Sequence, residues 1–438
     1  MAPRRVEPHS RWWLHGATVL VMAYVIASQV LLDVGGWSLV GFAVAVLLAA
    51  LLGFGRLFGI YKFSAGRWLY LPGLFVFYCA MRGLLGSKYS QPLGVLEMLA
   101  SGYLGGAGVA AALLAGVRFR ALVYAQMLSN LCQIAAVLFV FGDAPLAGEN
   151  GVRYAGLTGN ANEFGLQLAL GACLIWLLPK KSGVLACLFA FGAVAFALMT
   201  SWSRQVLLVV PFFLALVLIA AFSTRNKRRR LIVGGFVVAL GVLGVSLAPV
   251  LEERASEIAA IQRAVDYKDE SSYLTRYNMV QKALSLWEEA PLLGNGVDAF
   301  HSLSGYQTYA HNNYVELLCD LGLVGVFLFY AIHVNIVLGA SRVRGPLRLC
   351  CLLFVLLLVC LDTGSVGYKR KPTVMVLMIL GAIASRSQLV TRGAESLAGR
   401  RGFGSRSISQ DTSCPLASQA RNGHPDPKQR GERWAAFE

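Results

Sequence analysis

His311 opens the run His311-Asn312-Asn313-Tyr314-Val315-Glu316, where a polar, glycine-rich stretch gives way to a long apolar one. Imidazole is the side chain whose ordinary pKa suits proton transfer near neutrality, and Asn312 beside it carries an amide that can hold a sugar. Of the six histidines, His9, His15 and His424 are terminal and His333 lies near the far end of the apolar run, leaving His301 as the competitor. Around His311 the sequence offers cations. Arg204 ends the short polar break Thr200-Ser201-Trp202-Ser203-Arg204 between two apolar runs, and a guanidinium flanked by three hydroxyl residues suits a phosphate group. Arg276 follows Ser271-Ser272-Tyr273-Leu274-Thr275. Arg153 leads into Thr158-Gly159-Asn160-Ala161-Asn162-Glu163, and Lys369-Arg370-Lys371 completes the set. Glu163, near the entrance of an apolar run, needs a partner, and Arg153 is the nearest in sequence. No carboxylate cluster suits a divalent ion, and no Ser or Cys stands in a recognisable nucleophile setting. The pattern fits a pocket for a membrane-bound anion, worked on by a base without a metal.

The elements that position these residues are apolar helices. The chain has 438 residues, is 56% hydrophobic and 14% charged, and has a mean hydropathy of +0.60, which excludes a soluble enzyme. Runs of the ~17–25 apolar residues that a bilayer span needs occur near 17–33, 37–55, 68–86, 95–116, 121–141, 161–178, 183–200, 205–222, 231–250, 312–338, 349–366 and 373–385. The expected fold class is therefore all-α, a polytopic membrane protein of about 12 transmembrane helices with a large helical periplasmic loop at 251–311. The first run is expected to remain as a span, because no small-residue cleavage site follows it. Residues 1–16 form a short basic segment, 17–385 the membrane domain, and 386–438 a disordered basic tail, rich in Arg, Ser, Gly, Gln and Pro.

The formal charge of +16 is distributed in clusters between apolar runs: Arg56/Lys62/Arg67, Arg118/Arg120, Lys180/Lys181, Arg225 with Lys227-Arg228-Arg229-Arg230, and Arg342/Arg344/Arg348. With the N-terminus inside, alternation places all of them on the cytoplasmic face, as the positive-inside rule requires. This accounts for the charge through topology and membrane lipid, and no nucleic-acid partner is expected. The same alternation puts Arg204, Arg276, Arg153, His311 and 369–371 together on the other face. Eight of the nine cysteines lie in apolar runs and Cys414 in the tail, without metal-type spacing. Within the large loop, Leu251, Ala255, Ile258, Ile261 and Val265 predict one amphipathic helix. A second starts at Ser272, with Tyr277, Val280, Leu284 and Trp287 on one face and Pro291 ending it.

Four stretches, TGNANEFGLQLAL (158–170), TSWSRQVLLVV (200–210), the Arg276 helix running into EAPLLGNGVDAF (289–300), and AHNNYVELLCDLGLVGVFLF (310–329), occur in the order and spacing of the O-antigen ligase/polymerase superfamily, which the chain resembles over ~17–385. The resemblance implies a glycosyltransferase at the periplasmic face of the bacterial inner membrane. Such an enzyme moves a glycan from undecaprenyl diphosphate to a hydroxyl of lipid A–core, of another glycan or of a protein. It needs no cofactor, and inversion proceeds without metal. By the same resemblance His311 is the general base, while Arg204 and Arg276 bind the diphosphate and stabilise the leaving group. The chain departs from the family in having Gln205 where a glycine usually follows the arginine, which puts the close approach of a ligand there in doubt. Two other classes compete. A secondary transporter of an anionic solute would place charge or helix breaks near the bilayer midplane, in matched repeats, and no repeat is visible. A scaffold for envelope assembly would leave His311 dispensable.

Overall fold

The computed structural model describes residues 8–30, 38–57, 69–85, 92–140, 154–158, 160–177, 184–201, 203–223, 234–235, 271–306, 308–343 and 345–385. These are helices and their connections, with no strand among the described residues. In chain order the α-helices are α1 (Pro8–Val30), α2 (Ser38–Leu57), α3 (Tyr70–Leu85), α4 (Pro92–Ala115), α5 (Phe119–Ala135), α6 (Ala161–Leu174) and α7 (Val184–Ser201). They continue with α8 (Arg204–Ser223), α9 (Ser271–Glu289), α10 (Ala299–Leu303), α11 (Asn313–Ala340), α12 (Pro346–Leu361) and α13 (Lys371–Ser385). Among the described residues five segments are long and apolar enough to cross a membrane: Trp12–Val30, Val40–Leu57, Phe119–Phe139, Arg204–Ser223 and Asn313–Ala340. Six shorter apolar helices overlap further expected runs. The expected run at 231–250 lies outside the described residues apart from Gly234 and Gly235. So do the helix at 251–265, the tail from 386, and Arg153.

α6 is buried from Phe164 through Leu177 and α13 is buried almost throughout, so these two form the centre. α7 and α8 pack on α6, α12 on α8, and α1, α2, α4 and α5 on one another. In hydrocarbon, helices gain little from hydrophobicity alone and associate through close packing and internal polar contacts. Both devices are present. The glycines of α4 let it approach its neighbours: a Cβ at Gly105 would run into Tyr24 of α1, and one at Gly106 into Met378 of α13. A buried amide network joins α1, α5 and α6. Gln29 and Gln126 exchange hydrogen bonds of 2.6 Å, Gln133 and Gln167 donate to the Gln29 carbonyl at 2.8 and 3.2 Å, and Gln133 accepts from Leu157 N at 2.9 Å. The last contact fixes the entry to α6, where Asn160 caps the helix by accepting from Asn162 N and Glu163 N.

α11 is not one continuous helix. Gly322 has φ 65 and ψ −168, a conformation that is open essentially to glycine alone. The turn at 290–296 runs through the break. Asn295 N and Gly296 N donate to the carbonyls of Cys319 and Asp320 at 2.9 Å, and Leu323 N and Val324 N donate to those of Pro291 and Leu292 at 3.0 and 3.1 Å. Gly294 and Gly322 meet backbone to backbone. From α3, the Tyr78 hydroxyl lies 2.9 Å from the Leu321 carbonyl, and Arg82 Nη2 donates to the Gly294 carbonyl at 2.6 Å. Backbone groups freed by an interruption must find partners inside the protein, and here a loop and a neighbouring helix supply them. Beyond the break, 323–340 would cover about 27 Å, close to the thickness of a bilayer core, and the short first half of α11 separates it from His311.

α9 buries Met279, Ala283 and Leu286 against α11, with Val280 and Leu284 beside them. Tyr277 is exposed, so the packed face lies slightly around the helix from the expected one. Three-residue and four-residue spacings fit both faces, and what α9 meets decides between them. The eight cysteines among the described residues are free thiols in buried or half-buried positions.

Candidate active site

His311 lies in the turn between the 304–310 segment and α11, with a backbone φ of 54. Asn312, next in sequence, caps α11: its side-chain oxygen accepts from Tyr314 N at 3.0 Å and Val315 N at 3.3 Å, and its amide donates to the Thr363 carbonyl at 3.4 Å. Asn313 N donates to the Asp362 carbonyl at 2.8 Å, and the Asn313 side chain accepts from Tyr368 N at 3.1 Å. The turn carrying His311 is thus docked against the connection between α12 and α13.

The His311 ring packs on Tyr309, with centroids 4.3 Å apart. Tyr309 in turn lies under the Arg370 guanidinium, whose carbon is 5.9 Å from the ring centroid, and its hydroxyl accepts from Arg370 Nη2 at 3.4 Å. Arg370 also pairs with Glu163 at 3.3 Å and donates to the Gln205 side-chain oxygen at 3.2 Å. One guanidinium therefore joins the start of α6, the start of α8 and the His311 turn. Among the described residues Glu163 pairs with Arg370, distant in sequence; Arg153, its expected partner, lies outside them. Gln205, where the family resemblance leads one to expect glycine, donates its amide to the Gly364 carbonyl at 2.5 Å. The side chain fills that space and links α8 to the same connection.

Electrostatically the His311 imidazole is held neutral. Its pKa is lowered to about 4, first by burial and then by the positive charges of Arg276 and Arg370. Two of the expected cations therefore act on the expected base. Arg276 is half-buried in the first turns of α9, and Arg204 is half-buried at the first position of α8, next to Gln205. His301 is on α10, 43% exposed, with Nδ1 3.7 Å from Asp298.

Lys369 is placed differently from a side chain open to a ligand. It is 9% exposed, with Nζ 2.6 Å from Glu316, 2.9 Å from Asp298 and 3.2 Å from Asp320. Burial alone would lower the pKa of this ammonium, but the adjoining carboxylates outweigh burial and hold it well above the ordinary lysine value. Asp320 also accepts from Phe300 N at 2.9 Å and from the Tyr368 hydroxyl at 2.7 Å. The carboxylates nearest to a metal-like cluster are thus occupied by an amine. The sequence did carry a signal for this group. Glu316 and Asp320, four apart on one face of an apolar helix, are costly without a cation, and 369–371 is the cationic run facing the same way.

Fold and site define an all-helical membrane protein with a half-buried histidine, under the charge of two arginines, at the head of a broken helix. Residues 189–330 match the model of a protein family described as O-antigen ligase. The matched segment contains Arg204, Arg276, His311, Asn312, Glu316 and Asp320, and it supports the resemblance to the O-antigen ligase/polymerase superfamily. No curated protein matches the chain.

Proposed function

We propose that the protein is a metal-independent, inverting glycosyltransferase at the periplasmic face of the bacterial inner membrane. It transfers a glycan from undecaprenyl diphosphate to a hydroxyl of lipid A–core, of a growing polysaccharide or of a protein. The observation that carries this reading is a neutral, half-buried imidazole, His311, under the charge of Arg276 and Arg370 and within the O-antigen ligase segment. His311 takes the proton of the acceptor hydroxyl as its oxygen attacks the anomeric carbon. The bond from that carbon to the diphosphate breaks on the opposite face, and undecaprenyl diphosphate leaves with the bonding pair. Arg204, Arg276 and Arg370 hold the diphosphate and stabilise the charge that develops on it. Arg153 is a further candidate for this anion, and Asn312 fixes the turn while its amide edge meets the sugar. The polyprenyl tail lies in membrane lipid along apolar helices.

The test is turnover of a polyprenyl-diphosphate-linked oligosaccharide by the purified protein in liposomes with EDTA present. Release of polyprenyl diphosphate, with mass spectrometry of the product to name the acceptor, supports the reading. Absence of turnover across panels of donors and acceptors, together with uptake of a solute, would favour a transporter. The break in α11 does not argue for that alternative, because the backbone of 290–296 fills it.

The charge state of His311 gives a pH prediction. The neutral imidazole is the active form, so activity is present above the folded pKa and is lost as pH falls through about 4, instead of near the unperturbed value of about 6.5. Arg276→Ala removes one of the charges that lower this pKa, so the acid limb of kcat/KM is expected to move upward while donor KM rises. Stability follows the same sign. The unfolded chain takes up a proton near 6.5 and the folded one only near 4, so this site destabilises the fold as pH falls between those values. An acid limb that stays at the same pH in Arg276→Ala would separate Arg276 from the base.

A further inference from the structure

We propose that Lys369 is a positioning residue for His311, acting through Glu316 on the backbone of the turn that carries the base; the inference rests on the reading of His311 given above. The turn needs such support. His311 has a φ of 54, which is unfavourable for a residue with a Cβ and persists where the surroundings over-determine it. Glu316 supplies one of the constraints. One of its oxygens accepts from Ala310 N, the residue before His311, at 2.6 Å, and the other receives Lys369 Nζ at 2.6 Å. Glu316 is fully buried, and a buried carboxylate without a charged partner is costly. Lys369 gives it that partner and leaves its second oxygen aimed at the Ala310 amide.

The remaining contacts of Lys369 extend the same grip. Through Asp298 and Asp320 it joins the segment entering α10 to the first half of α11. Asp320 in turn holds Phe300 N and the Tyr368 hydroxyl. Arg370, the next residue, reaches the same turn through Tyr309. Two consecutive residues thus hold the two positions that lead into His311, one through Ala310 and one through Tyr309. The ammonium of Lys369 is enclosed by three carboxylates, so its charge reaches the reaction through the base rather than through the donor.

Lys369→Met in the full-length protein, reconstituted in liposomes, separates this role from others. Turnover is expected to fall about 10²-fold, as for a base misplaced by roughly 1 Å, with donor KM within about twofold of wild type. In the His311→Ala background the same substitution is expected to cost nothing further, because the group it positions is gone. Amide hydrogen exchange at 309–312 is expected to accelerate while α1 and α6 keep wild-type protection, and this readout does not depend on activity. If His311→Ala retains full activity, the base assignment fails, whereas the exchange data still decide whether Lys369 holds the turn. A raised donor KM with unchanged kcat would overturn the proposal in favour of direct donor contact. Unchanged exchange at 309–312, with activity lost only in proportion to unfolded protein, would overturn it in favour of a general role in stability. Glu316→Gln provides the second variant if Lys369→Met does not purify. It leaves Lys369 its two other carboxylates and is expected to show the same kcat loss, and wild-type kcat in it would overturn the proposal.

Discussion

His311→Ala is expected to lower transfer from a polyprenyl-diphosphate donor by about 10²–10⁴-fold in kcat, the contribution of a positioned general base, with donor KM little changed. The imidazole is held in a left-handed turn, against Tyr309, and neutral beside two guanidinium groups. A neutral imidazole among cations can take a proton from a hydroxyl but has little affinity of its own for an anion. Removing it should therefore affect the chemical step, while Arg204→Ala and Arg276→Ala should weaken donor binding as well. Initial-rate kinetics on reconstituted protein, with donor and acceptor varied separately, distinguish the two patterns. If His311→Ala keeps wild-type kcat, the base lies elsewhere, and His301, paired with Asp298, becomes the residue to test.

Gly322→Ala is expected to abolish the folded protein rather than weaken it. The φ/ψ pair at Gly322 costs an L-residue about 1–3 kcal/mol by itself, and an added Cβ would meet the Leu292 carbonyl and Gly294 N. Relief would have to push the 290–296 turn out of the break. That would uncouple the four backbone hydrogen bonds across it and the contacts from Tyr78 and Arg82. Since the first half of α11 holds Glu316 and Asp320, the His311 turn would be lost with it. Size-exclusion chromatography and thermal unfolding in detergent read the outcome. A monodisperse variant with a wild-type melting temperature would show that α11 can run straight, and the account of the break would then be wrong.

The two predictions differ in how visible their residues are in the sequence. His311 and the surrounding cations are legible because a polar cluster at the end of an apolar run is rare, and topology alone puts Arg204, Arg276 and Arg370 on the same side. The all-helical class is legible for the same reason, since long apolar runs admit few other structures. The break at Gly322 is not legible. Leu321-Gly322-Leu323 sits inside an apolar run, and an isolated glycine in a helical pattern is ordinarily tolerated. Its conformation depends on Gly294, a residue 28 positions earlier that fits against it. The contact of Glu163 with Arg370 is similar: nothing in the linear sequence links the two, whereas the fold brings them within 3.3 Å. The exposure of Tyr277 on α9 shows the same limit, because periodicity defines faces and only the opposing helix selects one.

The threaded break also constrains how the chain enters the membrane during synthesis. As an unbroken helix the 28 residues of α11 would extend about 42 Å, well beyond a hydrocarbon core of about 30 Å. An insertion machinery that recognises apolar length alone has several registers in which to seat such a segment. The 290–296 turn is synthesised first and can act as a template, selecting the register in which Gly322 bends and the acidic half-helix stays out of lipid. On this account the depth at which 313–340 seats is expected to depend on 290–296 as well as on its own apolar length. A nascent chain lacking 271–296 should seat 313–340 at the wrong depth even though every apolar residue of α11 is present. Glycosylation-site or cysteine-accessibility mapping of truncated nascent chains would reveal that displacement.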